Sequence, residues 1–164
     1  MKTKSLILKW IFFIIIIPLF YCCEKNDDNN ENNDNELIGT WIDTINVSPK
    51  GYHKYELIFD SNTLFTEKTS LYGIYDNEED NELSYWLERT GVYELNENNI
   101  VFTAKRKISW DNFWGGDPDT SDITQVLFEN CTYNVNNDIL TLNYTTYPAD
   151  APVDTERQYT KINN

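Results

Sequence analysis

The sequence predicts an all-β domain, an eight-stranded antiparallel up-and-down barrel, and three observations predict it. From Leu37 onward apolar and polar residues alternate with a period of two, and no helical period of useful length interrupts them. Phe, Trp and Tyr make up 15% of the chain, and aromatic residues favour pleated, half-buried strands. The connections between the alternating runs are short and long in turn, which sorts them onto the two ends of a meander. Eight strands arranged in this way can close on themselves and so remove exposed edges.

The N-terminal stretch lies outside that barrel. Lys2, Lys4 and Lys9 precede an apolar run of 11 residues, Trp10 to Phe20, "WIFFIIIIPLF". A bilayer-spanning helix needs roughly 20 residues, so residues 1–22 are expected to be a cleaved signal peptide. The segment "LFYCC" that ends it resembles a bacterial lipoprotein signal, in which a peptidase cuts just before a cysteine that is then acylated. Cys23 as the anchor places the small Cys22 before the cut and is the expected site; Cys22, with bulky Tyr21 before it, is the alternative. "EKNDD" after Cys23 resembles the Lys-plus-acidic tract of surface-exported Bacteroidota lipoproteins. The resemblance implies a cell-envelope protein of the outer membrane. Acyl chains bury at about 0.8 kcal/mol per CH₂, enough for several on one cysteine to hold a protein at a membrane.

Charge narrows the partners. The chain carries a formal −14, which repels nucleic-acid phosphates and keeps copies apart, so a monomer without a nucleic-acid partner is expected. Cleavage before Cys23 removes three of the 13 basic residues and leaves 27 acidic ones, a net −17. The body of the protein would then stand off anionic lipid, held by the anchor alone. Residues 23–36 hold the acylated Cys and a tether. From Glu24 to Glu36, "EKNDDNNENNDNE" contains no apolar residue, so it is expected to be disordered, reaching roughly 40 Å when fully extended. Of the three cysteines only Cys131 lies beyond the tether, which excludes an intradomain disulfide and suggests a small buried hydrophobe.

The domain, residues 37–164, divides into strands at 37–45, 54–60, 63–73, 83–95, 100–110, 123–135, 139–147 and 157–163. The fifth, "IVFTAKRKISW", alternates strictly, with Ile100, Phe102, Ala104, Ile108 and Trp110 on one face and Val101, Thr103, Lys105, Lys107 and Ser109 on the other. In the second, "YELIFD", Tyr55, Leu57 and Phe59 share a face. Short connections follow the second, fourth and sixth strands; long ones follow the first (46–53), third (74–82), fifth (111–122) and seventh (148–156). All the long loops therefore gather at one end, as the rim of a cup. The short turns set Leu95 opposite Ile100, Tyr93 opposite Phe102, Gly91 opposite Ala104, Val135 opposite Leu140 and Tyr133 opposite Leu142.

Strand one opens "LIGTWIDT", and Gly39-Thr40-Trp41 resembles the lipocalin G-x-W signature. With the loop alternation, residues 37–163 resemble the lipocalin-like lipoproteins common in Bacteroidota. The resemblance implies that Trp41 packs across the closed end of the barrel and that the open end admits a small apolar or amphipathic ligand. The domain departs from secreted lipocalins in being shorter and in lacking a C-terminal helix, a disulfide and a "T-D-Y" motif.

Two sites compete. Matching apolar residues along strands five and six pairs Ile100 with Val135, Phe102 with Tyr133, Ala104 with Cys131 and Ile108 with Leu127. This register sets Arg106 opposite Glu129, brings Arg89 beside Arg106, and predicts an interior row Arg89–Arg106–Glu129–Thr146, with Gln125 and Trp110 one row nearer the rim. Such a row is either a self-satisfying ion-pair network or a receptor for an acidic or hydrogen-bonding head, with Glu67, water or a ligand compensating the extra charge. The alternative is a protein- or glycan-interaction loop at 110–122, where Trp110, Phe113 and Trp114 stand among aspartates, with a fully packed barrel. No metal site is expected, because the glycines precede the acids where an EF-type loop needs one among them. "DTI" (Asp43 to Ile45) resembles the Bacteroidota O-glycosylation acceptor. The single histidine, His53, is expected in the first rim loop; with no nucleophile elbow, Cys/His pair or phosphate-binding Gly loop, neither an enzyme nor a cofactor is expected.

Overall fold

A computed structural model describes residues 36–48, 51–73, 82–113 and 115–163. Cys22, Cys23, the expected signal peptide, nearly all of the expected tether and Trp114 lie outside the described residues. Nine strands make up the domain: β1 (Gly39–Ser48), β2 (Gly51–Phe59), β3 (Leu64–Tyr72), β4 (Leu83–Asn96), β5 (Asn99–Asp111), β6 (Asp119–Leu127), β7 (Glu129–Asn136), β8 (Ile139–Thr146) and β9 (Val153–Ile162). Eight of them, all except β6, close an antiparallel barrel in the order β4-β3-β2-β1-β9-β8-β7-β5 with β5 paired back to β4. β6 is an additional outer strand on β5. The predicted all-β barrel is therefore what forms.

The hairpin registers follow from the short turns. Leu95 lies opposite Ile100, Tyr93 opposite Phe102 and Gly91 opposite Ala104, while Val135 faces Leu140 and Tyr133 faces Leu142. Glu97 and Asn137 both take φ 55° in these turns, the left-handed conformation that tight hairpin turns demand. Register on the closed half is strongly specified because a one-residue slip would turn Tyr93, Phe102 and Leu140 to solvent.

Several expectations need correction, among them the register of strands five and six, where Phe102 pairs with Leu127 rather than Tyr133 and Ala104 with Gln125 rather than Cys131. The expected rim loop at 46–53 is a hairpin: Ile45 pairs with His53 and Asn46 with Tyr52, leaving only residues 49–50 between β1 and β2. Polar side chains there do not stop the backbone from pairing. The expected strand 123–135 is two strands, broken where Phe128 (φ 55°) and Asn130 (φ 53°) turn left-handed. The interior row also fails to assemble. Lys105 is an extra residue in β5, so Thr90 pairs with Arg106 while Gly91 pairs with Ala104. One extra residue inverts the alternation beyond it, and Arg106 is exposed while Lys107 stands opposite Arg89. On β6, Asp122 faces Arg106 and Gln125 faces Ala104. Glu129 pairs instead with Thr145 of β8, and both Gln125 and Glu129 are exposed.

The core sits at the closed end. Leu37, Trp41, Phe59, Phe65, Tyr93, Ile100, Phe102, Leu140 and Tyr159 are all buried there. Phe102 is its hub, edge-on to Phe65 at 5.1 Å and to Phe128 at 5.4 Å, while Phe59 meets Tyr93 edge-on at 5.0 Å. Edge-to-face contacts let the ring quadrupoles attract.

Candidate functional site

Trp41 plugs the closed end. Its indole Nε1 donates to Leu37 O at 2.7 Å, and Lys161 Nζ stands over the ring at 4.9 Å while donating to Glu36 O at 3.0 Å. Gly39 takes φ 126°, a conformation L side chains rarely adopt, and an added Cβ would lie 3.1 Å from Lys161 Cε. Glycine two residues before the tryptophan is thus favoured by the positive φ of the backbone there.

Above the aromatic floor the inward positions become polar. Alternation on β1, β2, β3, β4 and β9 carries the faces of Trp41, Leu57, Phe65, Tyr93 and Tyr159 on to Asp43, Tyr55, Glu67, Arg89 and Arg157. Arg89 is held by a bidentate pair with one partner: Nε donates to Glu67 Oε2 at 2.8 Å and Nη2 to Oε1 at 2.9 Å. Thr69 Oγ1 adds a donor to the same carboxylate at 3.4 Å. Arg157 is held differently. Its guanidinium lies 3.8 Å from the centroid of the Tyr55 ring and reaches Asp43 Oδ2 only at 3.7 Å from Nε. That last separation exceeds hydrogen-bond length. The side chain keeps 21% of its surface exposed.

Neighbouring groups feel the same partly dry environment. Burial pushes the Tyr144 and Tyr159 hydroxyls up from their ordinary pKa, against the opposing pull of Arg157. Burial likewise raises Tyr85, opposed by Arg89. His53, expected in a loop, sits on β2 with its ring stacked on Tyr55 at 5.7 Å, and its buried Nδ1 has no hydrogen-bond partner.

Of the residues singled out from sequence, Arg89 faces the interior, whereas Arg106, Gln125 and Glu129 do not join it. Trp110 pairs with Trp86 across β4 and β5, and its Nε1 donates to Gly116 O at 3.2 Å. Beside it, a shallow rim depression of about 200 Å³ lies between Tyr85, Trp110, Asp111 and Asp117. Phe113 is 64% exposed, its backbone N–H bonded to Asp111 Oδ1 at 2.8 Å. Asp43, Tyr55 and Arg157 were missed. Their signal was a polar, charged or hydroxyl-bearing residue in phase with Trp41, Leu57 and Tyr159, inside the expected strands 37–45, 54–60 and 157–163. Among the described residues, no three His, Cys, Asp or Glu side chains gather as metal ligands.

No family model matches this chain, and comparison with curated proteins and with solved structures finds no match.

Proposed function

We propose that the protein is a lipid-anchored, non-enzymatic binding barrel of the lipocalin-like type that takes a small amphipathic ligand at the cell envelope. The observation that carries this reading is Arg157, a half-buried cation stacked on Tyr55 whose nearest carboxylate is beyond hydrogen-bond distance. Arg89 offers a ligand less, because Glu67 occupies two of its donors. A ligand with a hydrogen-bonding or acidic head fits Arg157. Gly39 and Trp41 at the closed end support the lipocalin-like assignment. The chain enters the domain at that same end, with Glu36 beside Lys161.

Native mass spectrometry of the full-length chain, purified gently after exposure to extract of its own host, tests the proposal. The expected result is a stoichiometric added mass that is lost on denaturation and absent in Arg157→Ala. A bare mass, under conditions that preserve the complex of a control barrel, overturns it. In that case the second reading takes over: the exposed Phe113 and the depression beside Trp110 support a protein- or glycan-binding rim.

A further inference from the structure

Among the described residues, β6 is the one strand outside the closed ring. It pairs with β5 from Leu127, opposite Phe102, to Asp119, opposite Ser109. On its other side no described strand pairs with it. Alternate residues of an antiparallel strand turn both N–H and C=O away from their partner, so this nine-residue strand offers backbone donors and acceptors to solvent. Two of the usual protections are missing, since "DTSDITQVL" holds no lysine and no proline, and Val126 is 54% exposed. A ladder of backbone donors and acceptors is complemented by one chemistry, another extended polypeptide.

We infer that the free edge of β6 is a docking site for an extended partner peptide, added antiparallel, with apolar residues toward its N-terminus and basic residues toward its C-terminus. The polarity comes from the strand itself. Ile123, Val126 and Leu127 occupy one half of β6, and Asp119 with the neighbouring Asp117 lies at the other end. Asp122 already faces Arg106 across β5, so the surplus negative charge is at the Asp119 end. An antiparallel peptide meets Leu127 and Val126 first and Asp119 last, and cross-strand pairs of matched polarity or opposite charge stabilise such ladders.

Two other occupants fit less well. A second copy would bring together two bodies of −14 each, with no basic residue to set against the Asp119 end of β6 in the facing strand. The chain's own "EKNDDNNENNDNE" has no apolar residue to set against Val126 and carries six acids against one lysine.

Fluorescence anisotropy with the full-length chain tests this, using a labelled peptide with valines and threonines in its N-terminal half and two lysines near its C-terminus. Saturable binding is expected, and the same residues in reversed order should bind at least about tenfold more weakly. Backbone N-methylation of alternate peptide residues supplies the decisive control, because it removes hydrogen-bond donors without altering either charge or the protein. One methylation phase should lose about tenfold or more and the other should bind normally. Absence of saturable binding, equal binding of the reversed peptide, or indifference to both methylation phases overturns the inference. Dimerisation of the protein in sedimentation that competes with the peptide also overturns it, in favour of a second copy.

Discussion

Arg89 grips both carboxylate oxygens of Glu67 across the β3–β4 ladder, Nε to Oε2 at 2.8 Å and Nη2 to Oε1 at 2.9 Å. The pair stands opposite Leu57 on one side and Lys107 on the other, with the Glu67 side chain only 7% exposed. Removing one partner strands a charge that the surrounding layer does not solvate. Glu67→Gln should therefore cost about 3 kcal/mol in denaturant unfolding, whereas Glu67→Leu combined with Arg89→Leu should leave the protein near parental stability. Equal losses for the single and double variants would show that packing, not charge, holds these positions.

Gly91 is opposite Ala104 beside the Lys105 bulge, and an added Cβ would lie 2.1 Å from Thr103 O and 2.8 Å from Ala104 Cα. Backbone atoms cannot step aside as a flexible side chain can. Gly91→Ala is expected to destabilise by at least about 3 kcal/mol, the upper range for overpacking. Guanidinium titration would measure it.

Trp41 is fully buried under Lys161 at the closed end. Trp41→Ala should cost about 3–5 kcal/mol through the lost burial and the cavity left behind. Lys161→Met keeps much of the stem that covers the ring and removes the ammonium, so its loss should be near 1 kcal/mol. Thermal melts of the two variants separate packing from charge.

Burial pushes the Cys131 thiol from 9.0 up to about 12. The folded protein therefore holds this proton more tightly than the unfolded chain. Its contribution to stability is full below pH 9 and is lost as the pH climbs toward 12. Tyr85, Tyr144 and Tyr159, also raised chiefly by burial, act with the same sign at the alkaline end. The melting temperature should fall across this window, and less steeply in Cys131→Val. A thiol-specific reagent at neutral pH should react with Cys131 only after unfolding.

Alternation and turn chemistry by themselves determined the barrel class, most of the strands, the hairpin partners of Tyr93 and Tyr133, and the buried state of Cys131. These are local properties: a period of two needs only a handful of residues, and a two-residue turn pins its own hairpin. Only the tertiary structure decided what happens beyond each irregularity. One extra residue at Lys105 turns Arg106 outward and sets Lys107 opposite Arg89, and the left-handed Phe128 and Asn130 divide one expected strand into an outer β6 and a barrel strand β7. Nothing in composition marks an inserted residue, because the energy that selects it comes from closing a twisted sheet around a core, with partners distant in sequence. Arg157 shows the same limit, since its setting depends on Tyr55 and Asp43, about a hundred residues earlier in the chain.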